Sequence, residues 1–135
     1  MDKIEHLNFE NPDALAAEVT RRWLSEVKPG DSAAISGGRV AVNFFDELAR
    51  QAGDRLNAVE FFWADDRCVP RDDPDSNFLL AKTHLFDPLN LDSSRIHRIE
   101  GELDPPAAAE RAEAEFRRVC GETPMLYWIF LGMGE

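Results

Sequence analysis

The stretch AAISGGRVAVNFFDEL, at positions 33–48, passes from an apolar run through a glycine turn into an amphipathic segment. Its first residues, Ala33–Ile35, are apolar without interruption, which is typical of a strand that is buried on both faces. After the break at Ser36–Gly38, apolar side chains return on one face of a predicted helix, at Val40, Phe44, Phe45 and Leu48. A buried strand that turns directly into a helix is the repeating unit of a parallel α/β sheet.

The same alternation of helix and strand extends along the chain in both directions. Further helices are predicted to begin at Asn11-Pro12-Asp13, to run from Asp75 or Ser76 through Leu85, and to begin at Pro105-Pro106. Further strands are predicted at Val59–Trp63, at Arg95–Ile99 and in the closing run Leu126–Leu131. The sequence therefore predicts a single α/β domain, built as a three-layer, open, mostly parallel sheet with helices on both faces.

Composition narrows the class of partner. The chain has 135 residues and a net charge of −11, with 26 Asp and Glu against 15 Lys and Arg. This balance argues against nucleic acid and against an anionic membrane surface as partners. It leaves a small anionic substrate open, because a local pocket can be positive on an acidic protein.

Other sequence features indicate a cytoplasmic protein. The chain has no apolar run of membrane-spanning length, and its first residues are too acidic for a signal peptide. The cysteines, Cys68 and Cys120, lie far apart, which predicts two free thiols in a reducing compartment. His6, His84 and His97 are scattered singly, so we predict no metal site.

Polar or glycine-rich clusters follow several of the predicted strands. They are Ser36–Arg39, Asp65–Arg67 and Gly132–Glu135. Ligands of open parallel sheets bind beyond the carboxyl ends of the strands, and these ends share one edge of the sheet. We therefore expect the clusters to meet there and to form the active site.

The first cluster has the features of a phosphate site. Gly37 and Gly38 allow the backbone to approach a ligand closely, and free N–H groups at the start of a helix attract anions. Arg39 adds a positive charge. The alternative is that the glycines only form a tight turn between strand and helix, and the tripeptide alone does not decide between the two.

The second cluster places two carboxylates and a guanidinium just past an apolar strand. Arg67 requires an anion there, either an aspartate or a substrate phosphate, and Asp65 could orient a hydroxyl or handle a proton. The alternative is a structural Asp–Arg pair that ties down the following loop. Function is favoured for Asp65 and Arg67, and both interpretations remain open for Asp66.

Taken together, the motifs resemble one family, the 6-phosphogluconolactonases, which are related to the glucosamine-6-phosphate deaminase/isomerases. The matching motifs are SGG at 36–38, FFWADDRCVPRDDPDSNFLLAKTHLF at 61–86, IHRIEGE at 96–102 and LGMGE at 131–135. Arg67 stands where the deaminase branch has tyrosine, which favours the lactonase branch. The resemblance implies a NagB/RpiA-like fold.

The resemblance also implies an activity, the hydrolysis of 6-phosphogluconolactone to 6-phosphogluconate in the pentose phosphate pathway. This is a carboxylic ester hydrolysis without metal or cofactor, on a small sugar-phosphate substrate, by a monomer or weak homo-oligomer. The expected phosphate ligands are Ser36, Gly37, Gly38, Arg39 and Arg67. Asp65 is expected to support catalysis by orienting substrate hydroxyls or the catalytic histidine. Gly132 and Gly134 are expected to shape the turn that delivers this histidine.

The family's catalytic histidine follows the L-G-x-G-x motif, so the resemblance places it beyond Glu135. Residues 1–135 are therefore expected to be the N-terminal part of one lactonase-like domain and to be inactive alone. Two departures from the family pattern stand out. Val40-Ala41 replaces T-P after the glycine turn, which puts one phosphate contact in question, and Asp66 replaces glutamate.

Other activities remain open. A sugar-phosphate isomerase or deaminase of the same fold would use Asp65 for proton abstraction. A non-catalytic sugar-phosphate-binding domain would need the phosphate site alone.

Overall fold

The computed structural model describes residues 3–132. Its helices are α1 Pro12–Glu26, α2 Arg39–Gln51, α3 Asn77–Ala81, α4 Asp87–Leu89 and α5 Pro105–Cys120. Its strands are β1 Ser32–Ile35, β2 Glu60–Trp63 and β3 Trp128–Ile129. A π-helical segment at Lys82–Phe86 joins α3 to α4, and a 3₁₀ turn follows at Ser93–Arg95.

β1 lies in the middle of a parallel sheet with the order β2-β1-β3. All of its residues are buried, as the apolar run predicts. On the far side of β2, a single parallel bridge joins Phe61 to Ile96. The strand predicted at Arg95–Ile99 is thus confirmed at one residue only, because the 3₁₀ turn ends just before Ile96 and the chain bends again where Leu103 N–H bonds the Glu100 carbonyl.

The predicted starts of α1 and α3 are confirmed by side-chain caps. Asn11 Oδ1 accepts the Ala14 N–H at 2.8 Å at the start of α1. Ser76, rather than Asp75, caps α3, and its hydroxyl accepts the Leu79 N–H at 3.2 Å. The helical course continues past the predicted end at Leu85, through the π-helical segment and α4.

Helices cover both faces of the sheet, which confirms the predicted three-layer architecture. The larger core lies on the face of Phe61, where Trp23 of α1 packs edge-on against the Phe61 ring. On the opposite face, Phe116 of α5 packs edge-on against Phe62, with ring centroids 4.8 Å apart. No helix within residues 3–132 combines the length and apolar composition needed to cross a bilayer.

The last strand is covered on one side only. Trp128 and Phe130 pack against the core. The alternate side chains are exposed, by 62% at Tyr127, 55% at Ile129 and 71% at Leu131. We call Tyr127, Ile129 and Leu131, of which Ile129 lies in β3 and the other two flank it, the open face of β3. The two-residue alternation of a strand explains the contrast between the two sides.

Candidate functional site

The ends of the strands meet at one edge of the sheet. The Ala64 N–H beyond β2 donates to the Ile35 carbonyl at 2.9 Å, and the Phe130 N–H donates to the Ala34 carbonyl at 2.9 Å. These hydrogen bonds place the residues that follow each strand side by side. The predicted convergence is therefore confirmed for the clusters at Ser36–Arg39 and Asp65–Arg67 and for Gly132, whereas Gly134 lies outside the described residues.

The glycine turn leads directly into α2. Gly38, which precedes α2, has a φ of 103°, in the region that favours glycine. Within residues 3–132, no side chain caps the first N–H groups of the helix. Arg39 is exposed and begins the helix. Uncapped N–H groups at the positive end of a helix dipole form a binding site for an anion.

Ser36 already has a partner within the fold. Its hydroxyl donates to the Phe130 carbonyl at 2.7 Å and so joins the end of β1 to the end of β3. A phosphate accepts hydrogen bonds and therefore needs donors. The side-chain proton of Ser36 could reach a phosphate only by leaving Phe130, so the neighbouring backbone N–H groups are better placed for that contact.

Asp66 acts as a cap for α3. Its Oδ1 accepts the N–H groups of Arg67 and Asn77, each at 2.7 Å, and its Oδ2 accepts the Phe78 N–H at 3.3 Å. Within residues 3–132 the structure shows no ion pair between this carboxylate and the Arg67 guanidinium. The Asp–Arg pair of the structural alternative is thus not formed by Asp66, whose carboxylate instead ties the loop to α3 through backbone N–H groups.

Asp65 and Arg67 keep their side chains available. Both residues are exposed, and neither side chain forms a hydrogen bond or ion pair with another described residue. The loop backbone is nevertheless fixed, because Gly101 packs against it so closely that a Cβ there would lie 2.2 Å from the Arg67 carbonyl oxygen. A fixed backbone with unpaired charged side chains suits ligand binding.

The segment IHRIEGE supports this loop, a role that its sequence pattern did not reveal. Arg98 forms a two-pronged ion pair with Glu102 and lies 5.8 Å from the centroid of the Phe78 ring. The hydrogen bond from Arg98 lowers the pKa of Glu102 to about 2, and the positive charges of Arg98 and Arg71 add to this effect. Both members of the pair are therefore charged at neutral pH.

Asn77 is a second residue that sequence reasoning left without a role. It is 7% exposed, and its Nδ2 donates to the Asp65 carbonyl at 3.2 Å. Its amide group also lies against the backbone of Gly37. Asn77 belongs to the family motif at 61–86, but that motif does not reveal a contact with a turn 40 residues earlier.

A cleft of about 330 Å³ opens between α1, α2 and the end of β3. Ser36, Gly37 and Gly132 line it together with apolar residues of the helices, among them Val40, which is 48% exposed. Asp65 and Arg67 are not part of its lining. The described residues thus bring the glycine turn and the end of β3 into one cleft and leave the charged loop beside it.

His97 is committed to the fold and is not placed to act as a base. Its Nε2 lies 2.7 Å from Glu60 Oε2 and its Nδ1 lies 2.9 Å from Glu115 Oε1, while its ring stacks on Phe62. Both ring nitrogens of His97 are therefore occupied by carboxylate oxygens of the fold. No group of three or more metal-binding side chains occurs among the described residues, and Cys68 and Cys120 are free thiols.

Comparison with known proteins gives consistent matches. The family described as glucosamine-6-phosphate isomerases/6-phosphogluconolactonase matches residues 10–135. The chain is 37% identical over 103 residues to a 6-phosphogluconolactonase of Haemophilus influenzae, a match that covers 74% of this chain and 44% of that relative. It is 33% identical over 134 residues to a 6-phosphogluconolactonase of Treponema pallidum, which covers 93% of this chain and 55% of that relative.

A solved structure agrees with these matches. The fold superimposes on the crystal structure of 6-phosphogluconolactonase from Thermotoga maritima with a TM-score of 0.78 and 28% identity, over 95% of this chain and 58% of that one. The chain thus spans about half the length of the curated relatives that it matches.

Proposed function

The chain belongs to the glucosamine-6-phosphate isomerase/6-phosphogluconolactonase family, and from this premise we propose that the protein carrying it hydrolyses 6-phosphogluconolactone to 6-phosphogluconate. The observation that carries the proposal is the pairing of two features at one sheet edge. These are the uncapped start of α2 after the glycine turn and the loop that leaves Asp65 and Arg67 unpaired beside it. The start of α2 suits a phosphate, and the loop of Asp65 and Arg67 suits the polar ring of a sugar lactone.

The proposed reaction needs a base, an oxyanion site and a phosphate site. A base takes a proton from water, whose oxygen attacks the lactone carbonyl. The resulting tetrahedral oxyanion collapses, the ring C–O bond breaks, and the ring oxygen takes up a proton to become a hydroxyl. The base is the histidine that the family resemblance places beyond Glu135.

In this proposal the backbone N–H groups at Ser36–Gly38, together with Arg39 and Arg67, hold the phosphate. Charge-assisted hydrogen bonds from guanidinium groups are the strongest that side chains offer to a phosphate. Asp65 orients substrate hydroxyls or the histidine. Residues 1–135 form the N-terminal part of a single domain, which acts without a cofactor in the cytoplasm as a monomer or weak homo-oligomer. The net charge of −11 supports a small-molecule partner rather than nucleic acid.

Assays on the full-length protein that carries this chain test the proposal. We expect it to hydrolyse 6-phosphogluconolactone and to release no ammonia from glucosamine-6-phosphate. Ammonia release without lactone hydrolysis would replace the proposal with a deaminase. Binding of 6-phosphogluconate by calorimetry, with no turnover of either substrate, would replace it with a non-catalytic binding domain.

A further inference from the structure

The two turns at the candidate site are joined by one buried side chain. Asn77 is the first residue of α3, and its Nδ2 donates to the Asp65 carbonyl at 3.2 Å. On its other side, the amide group touches the glycine turn. A Cβ added to Gly37 would lie 2.0 Å from Asn77 Oδ1 and 2.6 Å from Asn77 Cγ.

This contact explains why position 37 is a glycine. Gly37 does not adopt the left-handed conformation that Gly38 adopts, with its φ of 103°. An alanine at position 37 would therefore fit the backbone conformation, and the nearest group that its Cβ would meet is the Asn77 amide. All three of the heavy atoms nearest to that added Cβ belong to the Asn77 side chain. The Asn77 amide group therefore lies between the glycine turn and the Asp65 loop.

We propose that Asn77 is a positioning residue, which sets the spacing between the phosphate end and the lactone end of the substrate site. The inference rests on the proposed function, in which the glycine turn holds the phosphate and Asp65 faces the sugar. A displacement of about 1 Å can cost about a hundredfold in rate when both ends of a substrate are held. Asn77 thereby controls the preference for phosphorylated over unphosphorylated lactone.

A double-variant cycle tests the contact itself, on the full-length protein, through melting temperature. Gly37→Ala is expected to lower the melting temperature because the new methyl group collides with the Asn77 amide. In Gly37→Ala/Asn77→Ala the methyl group enters the space that the amide has left. The double variant should therefore melt above Gly37→Ala. If the two losses add, the contact does not exist as described and the inference fails.

Kinetics then separate positioning from mere stability. The readout is the ratio of kcat/KM for 6-phosphogluconolactone to kcat/KM for gluconolactone, which lacks the phosphate. We expect this ratio to fall at least about tenfold in Asn77→Ala. It should stay low in the double variant, which regains stability but not the hydrogen bond to Asp65. A ratio that stays at the wild-type value, or that recovers together with the melting temperature, would leave Asn77 only a structural role.

Two additional variants complete the experiment. Asn77→Asp keeps the size of the side chain but cannot donate to the Asp65 carbonyl, so its ratio should also fall, even if Asn77→Ala does not fold. Asn57→Ala removes an exposed asparagine at the opposite edge of the sheet and should leave both readouts unchanged. A wild-type protein that hydrolyses neither lactone would refute the proposed function, and the positioning role with it. A failure confined to the ratio would refute the positioning role alone.

Discussion

Replacing Asp66 with alanine tests whether this carboxylate is a structural cap or a reacting group. In the structure it accepts hydrogen bonds from the backbone N–H groups of Arg67, Asn77 and Phe78, at 2.7, 2.7 and 3.3 Å. The last two tie the loop after β2 to the start of α3. Without the carboxylate, these N–H groups must find water or remain unpaired.

The structure sets the size of the effect. Loss of a helix cap costs about 0.5–2 kcal/mol, and a hydrogen bond to a charged group contributes about 1.5–3 kcal/mol. Asp66 is half-buried, so water can replace part of what is lost. Ser76 also remains as a second cap, through its contact with the Leu79 N–H. We therefore expect Asp66→Ala to lower the free energy of unfolding by about 2 kcal/mol.

Urea unfolding followed by tryptophan fluorescence measures this change. Asp72→Ala, which removes an exposed aspartate from the same loop, is the matched control and should cost less than about 0.5 kcal/mol. Asp66→Asn keeps one acceptor oxygen and should lose less stability than Asp66→Ala, with kcat close to wild type. An Asp66→Ala protein as stable as wild type would refute the reasoning. So would a stable Asp66→Asn protein whose kcat falls by about a hundredfold or more.

Other predictions concern the charged loop, α5 and β3. Arg67→Ala should lower kcat/KM for the lactone, by an amount that corresponds to about 1.5–3 kcal/mol of lost transition-state stabilisation. Wild-type kinetics in this variant would remove Arg67 from the proposed phosphate site. The hydrogen bond from Arg118, aided by His97, lowers the pKa of Glu115 to about 2 from an ordinary 4.5. The stability contributed by this charge is present above pH 4.5 and is lost as the pH falls towards 2. In Glu115→Gln, the free energy of unfolding measured with urea should therefore fall less steeply between pH 4.5 and 2 than in the wild type. An equally steep fall in the free energy of unfolding of the variant would show that other groups cause the pH dependence. The 135-residue chain produced as such should bind a hydrophobic dye at the open face of β3, and charged residues at Ile129 and Leu131 should reduce that binding. If the variants bound as much dye as the wild type, the dye-binding surface would lie elsewhere on the molecule.

The sequence was sufficient for the architecture because periodicity is a local property. The apolar run at Ala33–Ile35 and the Asn11 cap are read from adjacent residues, and both are confirmed. The family resemblance is likewise confirmed, because its motifs are contiguous. The meeting of clusters at one edge could be predicted because parallel strands place their carboxyl ends together.

The division of labour within the clusters could not be predicted. The sequence of Asp65–Arg67 does not show that Asp66, rather than Asp65, binds backbone N–H groups 11 and 12 residues later. Ser36 looked like a phosphate ligand, yet its hydroxyl donates to a carbonyl 94 residues away. Such partners are set by tertiary packing, for which a single sequence carries no periodic signal. The roles assigned to the site residues therefore remain predictions.

That bond between Ser36 and Phe130 has a consequence for the order of folding. β1 and β2 pair across a short helical connection, whereas β3 reaches β1 only after a loop of more than 90 residues has closed. Loop closure over such a separation carries an entropic cost that local pairing avoids. The β1–α2–β2 unit is thus expected to form first, with the docking of β3 as a late event. Pulse-labelled amide exchange should protect Ala64, whose N–H donates to the Ile35 carbonyl, before Phe130, whose N–H donates to the Ala34 carbonyl. Simultaneous protection would contradict this order. The substrate edge would then be the last part of the molecule to assemble during refolding.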